Sequence, residues 1–187
     1  LRSETPPATL RIGLVRGPDW AQAESDVVAC WDHAVRALAP VAAACEDAPL
    51  PHDFADVAAV QAAIQAAETA QALADEHRRH RDRLSEALVA LLDKGTAIDA
   101  VTLAAHRTRT ERWRREVDAL FGRFDVLLAP SAVDEAPEGL QFTGDPIFCR
   151  PWSLLGLPCV HLPFATGATG LPVGLQLVGR FGDDHRL

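Results

Sequence analysis

The chain has 187 residues, 48% apolar and 24% charged, a composition that suits one core-forming domain and excludes a disordered segment. Its formal net charge of −8 argues against nucleic acid as a main partner, since that role needs a basic surface to release phosphate counterions, and equally against an anionic membrane surface. No run of about 18 apolar residues exists, so no transmembrane helix is expected.

The first element is a strand, Leu10-Arg11-Ile12-Gly13-Leu14-Val15, closed by Gly17-Pro18. A helix follows from about Ala23 to Leu38, with Val27, Val28, Trp31, Val35 and Leu38 recurring at three- and four-residue spacing, and Pro40 ends it. Val41 to Pro49 reads as a short strand before a Pro49/Pro51 turn. From Phe54 the period is helical again, through Val57, Val60, Ile64 and Ala67. A polar interval, Arg78 to Arg83, separates this stripe from Leu84, Leu88, Leu91 and Leu92, as one long helix or two. Gly95 suits a position just past a helix end, with Lys94 favourable beside it. Thr96 and Asp99 have capping-box spacing and start a helix from about Ala97 to Phe121, whose apolar face is Trp113, Val117, Leu120 and Phe124. A buried strand, Val126 to Ala129, stops at Pro130. Ser131 to Asp145 is a loop rich in Pro, Gly and acidic residues. A short helix over about Ile147 to Leu155 and two strands, Cys159 to Phe164 and Val173 to Val178, complete the chain, with a Gly167-to-Gly170 turn between the strands. Helices alternating with strands predict an α/β fold with a mixed β-sheet flanked by α-helices.

Three segments carry a family resemblance: FDVLLAPSAVDEAPEG (124–139), FTGDPIFCRPWSLLGLPCVHLPF (142–164) and GLPVGLQLVGRFGDDHRL (170–187). In this order they resemble the C-terminal signature of the amidase-signature enzymes, and LRIGLVRG at 10–17 resembles the strand that opens the second half of that domain. The resemblance implies a partial amidase-signature fold across residues 1–187, with a helical middle over about 53–124 and signature strands and loops over about 125–187. It also implies a Ser–cis-Ser–Lys triad that attacks a carboxamide through an acyl-enzyme, with oxyanion donors from a Gly/Ser-rich loop. Those parts belong to the N-terminal half of the family domain, and they are absent here. Lys94 is the only lysine, and none of Ser3, Ser25, Ser85, Ser131 and Ser153 sits in a Gly/Ser-rich loop. No catalytic residue carries over.

The resemblance leaves pocket wall and scaffold. Phe142, Thr143, Asp145, Phe148 and Trp152 are the candidate substrate-binding residues, on a loop and a short helix where binding groups concentrate. The competing readings are that Phe148 and Trp152, four apart, are core, and that Asp145 before Pro146 is a helix cap. Gln176, on the opposite side of its strand from Val173, Leu175 and Leu177, reads as a structural bond to a neighbouring loop. His161 reads as a hydrogen-bonded sheet histidine, and Ser131 lacks the Gly-x-Ser-x-Gly surroundings of a nucleophile elbow. His77 and His80 share a helix face, but Arg78, Arg79, Arg81 and Arg83 would repel a cation, so no metal is expected. The Arg107-to-Arg115 cluster, interleaved with Glu111, Glu116 and Asp118, reads as a salt-bridged helix face.

The expected function is therefore the C-terminal part of a carbon–nitrogen hydrolase, silent alone and without cofactor. Its implied partners are the missing N-terminal half and a small-molecule amide substrate, with no nucleic acid and no membrane. A transamidase component of the glutamyl-tRNA amidotransferase A type and a standalone non-catalytic binding domain are the alternatives. The chain lacks Met, and a helix is starting at Asp183–Leu187, so both ends are expected to be cut. A half-domain would expose apolar surface, which predicts homo-oligomers. Leu1 to Pro7 has no basic-then-apolar pattern of a signal peptide. Cys30, Cys45, Cys149 and Cys159 read as buried free thiols of a cytoplasmic protein.

Overall fold

The computed structural model describes residues 9–187; Leu1–Pro7, including Ser3, lie outside the described residues, as does Ala8. Two compact units divide the chain: residues 9–55 with 113–187, and residues 56–112.

The first unit is built on a mixed five-stranded sheet in the order β2-β1-β3-β5-β4. Its strands are β1 (Arg11–Leu14), β2 (Ala44–Asp47), β3 (Val126–Pro130), β4 (Cys159–Thr166) and β5 (Pro172–Val178). β1 pairs in parallel with both β2 and β3, and β5 runs antiparallel to β3 and to β4. Helix α1 (Ser25–Leu38) covers one face. There Val27, Cys30, Trp31 and Ala34 meet Ile12, Leu14, Val126, Leu128, Val173 and Leu175, all buried. Burying each large side chain stabilises by roughly 1.5–3 kcal/mol. Phe124 lies on the other face, where a Cβ on Gly13 would come within 2.9 Å of its ring. Trp113 and Val117 are fully buried, as their helical spacing predicts, whereas Phe124, expected on the same helix face, lies past the helix end at Leu120. Trp113 donates to Asp53 Oδ1 at 2.8 Å and meets the Phe54 ring edge-on at 5.4 Å.

A two-pronged clamp ties β1 to the start of β3. Arg11 donates to Asp125 through Nε at 3.2 Å, its terminal nitrogen at 2.8 Å and its backbone N–H at 2.8 Å. These bonds, the Arg11 side chain first, hold the Asp125 carboxyl below the usual carboxylate range. A depressed folded-state pKa contributes stability that is present above the unfolded value, about 3.9, and is lost as pH falls through the folded value. We therefore expect Asp125→Asn to flatten the acid limb of the melting-temperature profile below about pH 4. Melts of both proteins from neutral to acidic pH check this, and parallel acid limbs would remove the clamp from the argument.

The second unit is helical: α2 (Val57–Ala72), α3 (Ala74–Arg79), α4 (Glu86–Thr96) and the first part of α5 (Ala100–Leu120). α2 buries Val57, Val60, Ile64 and Ala67, the predicted stripe. Ser85 caps α4 by accepting from Leu88 N–H at 3.3 Å.

Several expectations change here. The stretch 41–49 is strand only over Ala44–Asp47, and the helix expected from Ile147 begins at Arg150 (α6, Arg150–Leu155). Gly95 is inside α4, not past its end. It lacks a side chain because a Cβ would run into the Ala66 carbonyl of α2. The Thr96/Asp99 box does not form. The Thr96 hydroxyl donates back to Leu92 O at 2.8 Å, and Asp99 alone caps α5, accepting from Thr102 N–H at 2.8 Å. Among the thiols only Cys30 is buried; Cys45 and Cys149 are intermediate and Cys159 is exposed on β4, which forms one end of the sheet.

Candidate functional site

The sheet brings a polar cluster to the carboxyl end of β3. Gln176 of β5 is 4% exposed, and its amide nitrogen donates to Pro130 O at 2.6 Å and Phe148 O at 3.1 Å. It joins the end of β3 to the turn that enters α6. The Cys149 thiol donates to Ser131 O at 3.1 Å. The Ser131 hydroxyl donates to Gly174 O at 2.9 Å and also meets His161 Nδ1 at 2.9 Å. A hydroxyl has one proton. With that proton directed at Gly174, Nδ1 carries the hydrogen and the imidazole cannot act as a base toward Ser131. Gly174 lacks a Cβ for a steric reason, since one would lie 2.5 Å from the His161 ring.

This cluster anchors the loop 131–145. Glu24 N–H donates to Val133 O at 2.8 Å, and Glu135 accepts from Thr169 N–H at 3.0 Å and Leu171 N–H at 2.8 Å. Desolvation opposes ionisation of Glu135, but the backbone donors outweigh it and hold the carboxyl below its ordinary range. The loop borders a cleft of about 660 Å³ lined by Glu24, Asp134, Glu138, Phe142 and Leu171. Such a wall offers apolar contact and negative charge.

The five candidate substrate residues do not converge on one pocket. Phe142 lines the cleft and is 59% exposed. Thr143 is exposed beside it. Asp145 is no helix cap; it forms an ion pair with Arg150 at 3.4 Å. Phe148 and Trp152 are buried and line a separate narrow recess of about 20 Å³ with Pro130 and Val15.

The remaining chemistry-bearing residues are committed elsewhere. Lys94 is exposed in the last turn of α4. His77 pairs with Asp93 at 3.1 Å, and Arg81 grips the same carboxylate at 2.8 and 2.6 Å. The α5 arginines reach beyond their own helix: Arg107 to Glu68 at 3.1 Å, Arg109 to Asp56 at 2.5 Å and Arg114 to Leu155 O at 2.7 Å. The Cys159 thiol points at Leu157 O, 3.7 Å away, and desolvation with the nearby Cys149 thiol pushes its pKa up to about 11. It stays protonated at neutral pH and is a poor nucleophile. No group of three or more metal-ligating side chains occurs among the described residues, and none of their helices is long and apolar enough to cross a membrane.

The family profile described as Amidase matches residues 2–187. The chain belongs to the Amidase family. The Amidase chain is 37% identical over 97 residues to the A-type component of the glutamyl-tRNA(Gln) amidotransferase of Synechococcus sp. (strain CC9605), covering 48% of this chain and 20% of that protein. It is 32% identical over 133 residues to a Mycobacterium tuberculosis (strain ATCC 25618 / H37Rv) protein carrying the amidase name AmiD, covering 66% and 28%. The fold superposes on a crystal structure of an amidase with TM-score 0.84 at 23% identity, over 98% of this chain and 45% of that one. The Amidase chain thus spans under a third of the length of these curated relatives.

Proposed function

We propose that this chain forms the C-terminal, pocket-wall portion of an enzyme that cleaves a carbon–nitrogen bond of a small carboxamide through an acyl-enzyme. The nucleophile and base come from a preceding segment, and alone the chain turns over no amide. The observation that carries this reading is the family match over residues 2–187 in a chain with a single lysine and no Gly/Ser-rich loop around any serine. Ser131 has its proton on a main-chain carbonyl, Cys159 is held as a thiol and Lys94 is exposed. Acyl transfer needs an activated nucleophile beside a base.

The outer strand β4 supports a covering partner. Val160, Leu162 and Phe164 are 37%, 43% and 39% exposed along it, on a strand that among the described residues pairs with β5 alone. An apolar strand with a free edge is a template for further pairing. The preceding half of the domain fits that edge, and in its absence a second copy does.

Incubation of the purified chain with aryl and aliphatic amides is expected to give no turnover above buffer. Turnover that a serine-directed reagent abolishes would overturn the reading. A transamidase component is the second reading, favoured by the 37% identity to an A-type amidotransferase component. Co-purification of the parent protein with companion amidotransferase subunits separates the two.

A further inference from the structure

The strand order places a crevice away from the loop cleft. β1, β2 and β3 are parallel, with β2 and β3 on opposite sides of β1. In this order the switch point, where open α/β sheets leave room for a ligand, falls between β1 and β3, and the narrow recess lined by Val15, Ala129 and Pro130 lies there. Beside it a cleft of about 330 Å³ is lined by Arg16 and Gly17 after β1 and by Ala48, Leu50, Pro51 and Phe54 after β2. Small-molecule sites run from about 300 Å³ upward.

Arg16 sets the chemistry of this cleft. Its guanidinium lies over two indole rings, 5.8 Å from the Trp20 centroid and 5.7 Å from the Trp31 centroid. The two rings, tilted by 58° to each other, hold the guanidinium by cation–π attraction and leave its N–H donors able to meet a planar anion. Many of the other arginines, Arg11, Arg81, Arg107, Arg109, Arg123 and Arg180 among them, pair with a carboxylate. Arg16 has no carboxylate within ion-pair distance among the described residues. Asp19, the acidic residue beside it, accepts from Gln22 Nε2 at 3.4 Å instead. A cation with no acidic partner among the described residues, in a chain of net charge −8, is the first indication of an anion site.

Trp152 is the second. It is 3% exposed, and its indole N–H, like that of Trp31, is buried with no acceptor among the described residues. Such a donor costs about 1–3 kcal/mol if nothing accepts from it. Trp152 lines the narrow recess, and Arg16, Gly17, Leu50 and Phe54 line both that recess and the cleft. One bound group can therefore meet Arg16 and the recess together. Apart from Arg16 itself, Asp19 in the recess and His52 in the cleft, the walls are apolar, which disfavours a fully hydrated anion such as phosphate.

We propose that this cleft binds a small carboxylate with a compact apolar body. The carboxylate lies on the edge of Arg16 with one oxygen toward the Trp152 recess, and the body rests against Leu50, Pro51 and Phe54. The inference is independent of the amide-cleaving reading. The test is a titration of the ¹⁵N-labelled chain with benzoate, benzamide and inorganic phosphate, read at the indole N–H resonances. The Trp152 resonance is assigned by its loss in Trp152→Phe. Benzoate is expected to shift it saturably, and Arg16→Gln to weaken that binding at least about tenfold, the loss of roughly one charge-assisted bond. The other three indole resonances report whether the variant is folded. Benzamide binding as tightly as benzoate would show that Arg16 reads no charge and would overturn the proposal. So would an unchanged benzoate titration in a folded Arg16→Gln, phosphate binding as tightly as benzoate, or no saturable shift at all.

Discussion

Gly95→Ala is expected to destabilise the helical unit by about 3 kcal/mol, although the same change in an ordinary helix interior stabilises by about 1 kcal/mol. The two effects have opposite sign, so the outcome decides the geometry. Gly95 lies in α4 and is buried against α2. An added Cβ would run into the Ala66 carbonyl and sit 2.8 Å from the Ala70 Cβ. The obstacle is backbone, which cannot rotate away, so the two helices must separate along their contact. That separation weakens the burial of Leu92 and Ile64 on the same surfaces. Urea unfolding followed by far-ultraviolet circular dichroism measures the effect. A midpoint equal to or above that of the parent chain would mean that α2 and α4 do not approach this closely.

Gln176→Leu is expected to cost about 2–6 kcal/mol, since two buried carbonyls each lose a partner worth about 1–3 kcal/mol. Leucine matches the size of glutamine, so the loss isolates the two bonds to Pro130 O and Phe148 O from a packing defect. The local consequence is equally specific. Gln176 joins the end of β3 to the turn before α6, and the loop 131–145 leaves from that end. Hydrogen exchange should therefore accelerate in α6 and the loop ahead of β1 and β2. Uniform acceleration across the sheet, or a change below about 1 kcal/mol, would remove Gln176 from the centre of this site.

The readable parts of the site were those with local causes. Gln176 stood opposite the Val173, Leu175 and Leu177 face of its strand, and a buried amide there needs hydrogen-bond partners, which is its structural role. His161 was legible in the same way, and it does bond to a neighbour. The candidate pocket residues were grouped by adjacency in the chain, and adjacency failed. Phe142 faces an acidic cleft, while Phe148 and Trp152 face a recess beside β1, because the bend at Pro146 and the turn to Arg150 redirect the chain. Arg16 carried no signal at all. Its meaning depends on the Trp20 and Trp31 rings lying beside it, and α1 has to fold back onto the sheet before Trp31 is there.

Amino-acid order alone determined the α/β class, the strands at both ends of the chain, the apolar stripe through Trp113 and Val117, and the lack of a Gly/Ser-rich nucleophile loop. These follow from side-chain period and residue type, which act over a few positions. Tertiary structure decided the rest: why residue 95 is glycine, which arginines are neutralised, where the Ser131 proton goes and which pocket each aromatic lines. Each of those depends on a partner tens of residues away, brought within a few ångströms only when the sheet and helices pack.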